Sequence, residues 1–318
     1  MKYLINASTD PYFNLALDEY CLENIRSEEP YFYLWRNSPS VIIGLNQNAY
    51  SEVNLEYLST HGIKLARRVT GGGAVYHDLQ NLNYTIVGRN PSPEPFVQAL
   101  RTLGTDAALT GRNDIFVDGK KVSGYARRVS HGQEIIHGTL MYDVDIDTLT
   151  KVLDTPSSKL NSKGIASVKS RVANLKDYLP GISSLDELQS RLQELLSGED
   201  GRILLCEGQI AEVSKAAKEK FSSWDFIYGH SRQAGFHKKG KLPCGTVEAD
   251  ILVDHGRIEK ISFSGDYLFD TPSGVLEKGL EGLRFDHGEI LSFLGKTDLG
   301  AFFKGASPED MANLIFGG

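Results

Sequence analysis

Three cysteines in 318 residues, Cys21, Cys206 and Cys244, are too few and too widely spaced to build a scaffold. Their number is odd and no CxxC pair occurs, so neither a disulfide framework nor a cysteine-built zinc site is indicated. No apolar run approaches membrane-spanning length. The opening stretch MKYLINASTDPYFN lacks the charged-then-apolar order of a secretory signal. Cationic clusters are missing as well: lysine and arginine total 34 against 41 acidic residues, a net charge of −7. That balance argues against nucleic-acid and membrane partners and, with the missing signal, gives a cytoplasmic reading.

What is present is ordinary globular composition, 41% hydrophobic and 24% charged. The length suits roughly two domains at about 150 residues each. Glycine is abundant, with 32 residues against a usual ~7%, so some loops require unusual backbone angles.

Asp10 before Pro11 reads as a helix N-cap and first helical position, and Phe13, Leu17, Tyr20 and Cys21 follow at helical spacing, which makes Cys21 a core residue. Tyr31 to Trp35 and Val41 to Leu45 read as strands joined by a turn at Asn37 to Ser40. A short helix around Leu55 to Leu58 ends at His61-Gly62, and strands follow at Lys64 to Arg68 and Asn83 to Val87. Residues 94–109 read as a helix. Asp118-Gly119 then separates two short β segments as a two-residue hairpin turn. Ser184 with Glu187 has the capping-box pattern ahead of Leu188, Leu192 and Leu195, and a further helix spans about Ile210 to Phe221. The polar stretch Tyr228 to Lys241 has no apolar period and reads as a linker. Beyond it Val247, Ala249, Ile251 and Val253 alternate with polar residues, His255-Gly256 turns the chain, and two or three short helices follow. Hairpins outnumber βαβ units in the first 145 residues, so a mainly antiparallel α+β sheet is expected over a doubly wound one.

The densest chemistry lies in RRVTGGGAVYHD, Arg67 to Asp78. Three successive glycines let backbone amides converge on an anion without Cβ obstruction. Arg67 and Arg68 add fork-shaped cationic donors. The competing reading is a tight sheet corner with a solvated arginine pair. GxGxxG fails because Tyr76 is sixth from Gly71, and the Gly-Lys-Thr at Gly295 lacks an upstream Walker glycine because Ile290 stands there. In GRNDIFVDGKKVSGYARR, Asn113 and Asp114 open a strand and Lys120-Lys121 follow the turn. A lysine beside Ser123 and Gly124 could hold its charge against a carbonyl or phosphate oxygen; Lys120, at the turn itself, reads as solvated. HGTLMYDVD, His137 to Asp145, reads as a strand, and His131 and His137 are six apart, which fits no compact metal pattern. His77 and Asp78, adjacent on a strand, face opposite sides, so His77 reads as structural. The segment Ser162 to Leu175 carries Lys163, Lys169 and Arg171 without a clean period, as a basic closing loop or an exposed connector.

Taken together, RRVTGGGAVYHDLQNLNYT, GRNDIFVDGKKVSG, HGTLMYDVD and KGIASVKSRVANL resemble, in order, the four signature stretches of the lipoate–protein ligase family over roughly residues 1–229. The later region resembles the small accessory domain of full-length ligases. The resemblance implies a biotin/lipoate-ligase-like α+β catalytic domain at 1–229, related to class II aminoacyl-tRNA synthetases as an antiparallel sheet with flanking helices, and a small α+β domain at 236–318. It implies that ATP and lipoate give lipoyl-AMP and pyrophosphate, and that an acceptor lysine then attacks the mixed anhydride. Mg2+ would accompany the triphosphate, held by phosphate oxygens and water with Asp114 as a further oxygen donor. By motif position Lys121 matches the essential lysine. Arg68, Gly71, Gly72, Gly73, Ala74, Val75, Tyr76, His77, Asn113, Asp114, His137 and Lys163 match positions that hold ATP and lipoate. The acceptors implied are lipoyl domains: E2 subunits of 2-oxoacid dehydrogenases and the H protein of glycine cleavage. One departure, Gln80 before Asn81 where glycine is commoner, falls on a turn.

Three rivals remain at this level. An octanoyl transferase working through a cysteine thioester is disfavoured because none of the three cysteines lies in the glycine-rich, lysine or histidine segments quoted above. A biotin ligase is disfavoured because GRGRxGR is absent. A non-catalytic scaffold with this fold would be expected to have lost Lys121.

Overall fold

A computed structural model describes residues 1–110, 113–153, 171–198, 201–229, 231, 234–267 and 270–316. The chain divides into two compact units, Met1–Leu45 with Glu52–Ser223, and Asn46–Ser51 with Trp224–Gly318.

The first unit opens with β1 (Lys2–Leu4), helix α1 (Pro11–Asn24), β2 (Tyr31–Trp35) and β3 (Ser40–Ile43). Asp10 caps α1 by accepting from the Tyr12 amide, with Pro11 at a position that needs no donor. The short α2 (Ala49–Glu52), whose first three residues belong to the second unit, and α3 (Leu55–Thr60) lead to β4 (Lys64–Arg67), β5 (Val75–His77), β6 (Asn81–Gly88) and α4 (Glu94–Thr102). Then come β7 (Ala108–Thr110), β8 (Asp114–Val117), β9 (Lys120–Ser130), β10 (Gln133–Met141), α5 (Ile146–Val152), α6 (Leu185–Leu196), β11 (Arg202–Ile203) and α7 (Glu207–Ala216).

Eight strands form one mixed sheet in the order β11-β1-β2-β6-β10-β9-β8-β7. Its centre is antiparallel, while β1 runs parallel to both β2 and β11. Successive side chains on a strand leave opposite faces, and cross-strand partners share one. One face carries Phe32, Leu34, Leu82, Tyr84, Ile86 and Ile136, which pack with Phe96 and Leu100 of α4 and Leu185, Leu188, Leu192 and Leu196 of α6 as a dry core. The other face carries Tyr33, Trp35, Asn83, Thr85, His137 and Thr139. Its polar groups make it a floor for chemistry. A second sheet, in the order β4-β3-β5, holds the glycine triplet between β4 and β5.

Several local expectations need correction. The strands at Tyr31 and Val41 do not pair with each other; β2 joins the large sheet and β3 the small one. The helix expected over 94–109 stops at Thr102, because Gly104 adopts φ 107° and the chain turns into β7. Strand β5 holds His77 as expected but ends there, so Asp78 falls just beyond it.

The second unit contains α8 (Trp224–Ile227), a three-stranded sheet of β12 (Ala234–Leu242), β13 (Gly245–Asp254) and β14 (Arg257–Tyr267), and four helices, α9 (Gly274–Leu280), α10 (His287–Leu294), α11 (Leu299–Phe302) and α12 (Pro308–Phe316). The stretch expected as a linker is therefore mostly strand. Its lysines sit on an edge strand, and its place is fixed by backbone pairing from Ala234↔Val253 to Leu242↔Gly245, which side-chain periodicity does not report. Tyr50 belongs to this unit and packs between Tyr228, Phe236 and Phe285.

Candidate active site

The polar face of the large sheet opens on a cavity of about 150 Å³, walled by Leu15 of α1, the glycine loop and β5, with Lys121 and Asn113 at its border. Trp35, Asn83 and Thr139 lie side by side on β2, β6 and β10. The Gly124 amide donates to Thr139 Oγ1 at 3.2 Å, and Gly124 is paired with Asp114 on β8. That row crosses four inter-strand steps, roughly 19 Å at ~4.8 Å each, from an aromatic end at Trp35 to a charged end at Asp114.

At the charged end the hairpin expected from Asp118-Gly119 forms with Val117↔Lys120 as its last pair, and both turn residues have positive φ, 49° and 72°. Lys120 is exposed. Lys121 is half-buried, its Nζ 2.7 Å from Asp114 Oδ1 as an ion pair without the alignment of a good hydrogen bond. Gly124 lets this happen, because a Cβ there would stand 3.0 Å from Lys121 Nζ. Asn113 Nδ2 donates to Tyr125 O at 2.8 Å, and the Tyr125 amide donates back to Asn113 O. Val172 bridges Lys121, and the Ala173 amide donates to Lys121 O at 3.0 Å, while Arg171 beside them is exposed. Lys163 and Lys169 lie outside the described residues.

The arginine pair is not solvated. Arg67 and Arg68 are 0% and 6% exposed, and burial lowers each guanidinium to about 10, which leaves it charged at neutral pH. Arg67 donates to Gly44 O and Leu45 O, both at 3.0 Å. Arg68 donates from Nε to Thr70 Oγ1, from Nη1 to Ile42 O, and from Nη2 to Gly71 O at 2.7 Å and Gly73 O at 2.8 Å. Its fork is thus occupied by carbonyls of the loop, and its first effect is to fix the loop's shape. Gly72 has φ 97°, and a Cβ there would meet Arg68 Nη2 at 2.8 Å. Gly71, Gly72 and Gly73 are exposed, Ala74 and Val75 half-buried and Tyr76 buried, so accessible backbone leads into the cavity wall.

Behind the loop runs a buried chain that joins the expected Arg68 and His137 through groups that sequence reasoning missed, Asp18, Thr70, Thr85 and Tyr33. Asp18 on α1 faces His137 Nδ1 at 2.6 Å and also accepts from Thr85 Oγ1 at 2.8 Å and from Tyr33 Oη. A carboxylate only accepts, so Nδ1 carries the proton. His137 Nε2 is 2.7 Å from Thr70 Oγ1, which accepts from Arg68 Nε at 3.1 Å. With a neutral ring the donors run one way: Arg68 to Thr70, Thr70 to His137, His137 to Asp18. A sequence signal existed, since Asn14 and Asp18 stand four apart on a helix otherwise rich in apolar residues, and both are 0% exposed.

His77 is 3% exposed and borders the cavity. Burial, then the charge of Arg68, push its pKa down to about 3, so the ring is neutral. Asp78 does not act with it: its carboxylate accepts from the Gln80 amide at 2.8 Å and the Asp145 amide at 3.0 Å. Among the described residues no cluster of three metal-ligating side chains exists. No cysteine lines the cavity. Cys21 is fully buried, its thiol pushed up to about 12 by burial, whereas Cys206 is exposed.

The lipoyl protein ligase A/B catalytic domain matches residues 10–197, and the bacterial lipoate protein ligase C-terminus matches residues 231–315. The chain is 36% identical to the lipoate-protein ligase LplJ of Bacillus subtilis, over 96% of this chain and 97% of that one. Among solved structures it resembles a bi-partite lipoate protein ligase of Thermoplasma acidophilum, described with its E2 lipoyl domain, with TM-score 0.66 and 31% identity over 73% of this chain and 97% of that one. A lipoate-protein ligase A bound with ATP gives TM-score 0.63 and 30% identity over 72% and 98%. Matched along both of its parts, the chain belongs to the lipoate–protein ligase family.

Proposed function

We propose that this lipoate–protein ligase builds lipoyl-AMP in the cavity between the glycine loop and β9, with Lys121 as its catalytic cation. The observation that carries the assignment is the position of Lys121 Nζ, half-buried at the cavity border and held by Asp114 2.7 Å away. When the lipoate carboxylate attacks the α-phosphorus of ATP, negative charge builds on the oxygens around phosphorus and pyrophosphate leaves. An ammonium positioned beforehand stabilises that charge without reorganising. The acceptor amine then attacks the acyl carbon, and AMP departs with the electron pair of the anhydride C–O bond. No enzyme nucleophile is required, which agrees with a cavity lined by no cysteine.

In this reading the amides between Gly71 and Tyr76 meet ligand oxygens, with Arg68 setting their positions from behind. Asn113 and Asp114 flank the adenylate, His77 and His137 belong to the acyl end, and Lys163 takes part by motif position alone. Leu15, Trp35, Ile42 and Val75 offer the acyl chain apolar contact, where each buried CH2 contributes ~0.8 kcal/mol. Mg2+ fits as an ion carried by the triphosphate, because the described residues offer Asp114 and no ligand cluster; it would neutralise phosphate charge.

The acceptors in this reading are lipoyl domains of E2 subunits and the glycine cleavage H protein, modified in the cytoplasm. The first unit, within 1–229, carries the chemistry, and the accessory region, 236–318, assists ATP-dependent activation. The bi-partite archaeal relative, which aligns over 97% of its own chain with 73% of this one, supports that division. Purified protein with ATP, magnesium and lipoate should release pyrophosphate and form an AMP ester that lipoylates an added lipoyl domain. Acyl transfer from a carrier-protein thioester without ATP would overturn the reading.

A further inference from the structure

His77 presents a buried donor with no use in the free protein, and its tautomer follows from its neighbours. Asn14 Nδ2 lies 3.1 Å from Ser8 O and 3.0 Å from Arg36 O. Both are carbonyl acceptors, so that atom must be nitrogen whichever way an amide is drawn. The same nitrogen stands 2.8 Å from the Asn37 side chain, which must therefore turn its oxygen toward Asn14. Asn37 Nδ2 is left facing His77 Nδ1 at 3.0 Å, so Nδ1 accepts. A neutral ring with Nδ1 accepting carries its proton on Nε2. Nε2 is buried and has no hydrogen-bond partner among the described residues.

The apolar part of the cavity lining is Leu15, Trp35, Ile42 and Val75, facing the polar floor of Asn83, His137 and Thr139, and the Trp35 and His77 rings meet edge-to-face at 6.1 Å. This is the aromatic end of the row, four strand steps from Asp114 and three from Gly124 on β9, beside which Lys121 Nζ stands. A carboxylate activated at Lys121 therefore leaves the distal end of its chain beside His77. An alkyl end leaves the N–H unpaired, at the cost of a buried unsatisfied donor. A disulfide-containing ring brings sulfur lone pairs, weak acceptors that can take up that proton.

We propose that the Nε2–H of His77 is the donor that recognises the dithiolane ring, so that the site selects lipoate over acids of the same shape without sulfur. The proposal rests on the ligase reading and its placement of the carboxylate at Lys121.

The probe is 5-cyclopentylpentanoate, which keeps the five-membered ring and chain and lacks both sulfurs. Calorimetric titration of the full-length protein should show lipoate bound about tenfold more tightly than this analogue, a ratio equivalent to about 1.4 kcal/mol. His77→Phe keeps an aromatic ring for sulfur contact and removes the donor. It should bring the ratio to within about twofold, mainly by tighter binding of the analogue, while His77→Gln, which restores an N–H at a similar reach, should recover part of it. Histidine ring ¹H–¹⁵N spectra of the wild type need no variant: the proton should reside on Nε2 in the free protein and shift with lipoate but not with the analogue. Equal wild-type affinities, an unchanged ratio in His77→Phe, or a proton on Nδ1 would each overturn the proposal. Adenylate formation from both acids in those same samples would show the ligase reading intact, so the two failures are separable.

Discussion

Replacing Asp18 by asparagine changes one oxygen for an NH2 group at nearly constant volume, at a side chain only 1% exposed. The amide can keep its oxygen toward Tyr33 and Thr85, but its nitrogen then faces His137 Nδ1, where the carboxylate had accepted. To avoid two donors meeting, His137 must move its proton to Nε2. Thr70 Oγ1 then receives from both His137 and Arg68, and its own proton loses its acceptor. One hydrogen bond to a charged group is lost and one buried donor is stranded, which together cost about 3 kcal/mol. For a unit of this size that corresponds to a fall in Tm of roughly 6–12 °C. Because Arg68 binds Gly71 O and Gly73 O, amide exchange across residues 71–76 should accelerate, and KM should rise more than kcat falls. The decisive assay is a double-mutant cycle of Asp18→Asn with Thr70→Ala. The two side chains are joined only through His137, and a coupling of about 1 kcal/mol or more is expected. Additivity within ~0.5 kcal/mol would refute the relay.

Lys121→Ala should lower adenylate formation at least about 100-fold while costing under about 1 kcal/mol of stability, since its ion pair is partly exposed. Lys120→Ala should stay within about twofold of wild type; comparable turnover in both would remove Lys121 from its role. Combined Cys21→Ala, Cys206→Ala and Cys244→Ser should keep ATP-dependent lipoylation, with the melting temperature falling first because Cys21 is fully buried; loss of transfer in the folded variant would restore the thioester reading. Cutting after Ser223, where the compact units divide, should leave a folded fragment that transfers from supplied lipoyl-AMP but activates lipoate poorly. Its solubility should improve with Tyr50→Ser, since Tyr50 packs with Tyr228, Phe236 and Phe285 of the removed part; full activation by the fragment would refute a role for the second unit. His77 binds its proton near pH 3 in the folded chain and near 6.5 when unfolded. Between those values the unfolded state holds more protons, so stability should decline as pH falls from about 6.5 toward 3. Denaturant titrations across that window should show a shallower decline in His77→Phe, and an unchanged slope would place the ring in water.

Local rules acted on neighbouring residues, and the sequence alone was enough for them. Asp10-Pro11 starts α1, Asp118-Gly119 makes the hairpin that carries Lys121, Ser184 caps α6, and alternation from Val247 to Val253 marks β13. The four motif stretches, each continuous in the chain, likewise carried the family. Only the tertiary structure decided which polar groups would lose water together. Asp18, Thr70, Thr85 and His137 come from α1, the glycine loop, β6 and β10, and the spacing of Asn14 and Asp18 on α1 hints at a shared face without saying which distant groups Asp18 meets. The arginines illustrate the same limit: their charge suggested ligand contacts, whereas folding set Arg68 on the carbonyls of its own loop. Strand β12 escaped because an edge strand is held by backbone pairing and tolerates lysines on its open face. Periodicity reports which side of an element is dry; it does not report which distant donor an acceptor will meet, because that depends on strand order and helix placement that only the assembled fold supplies.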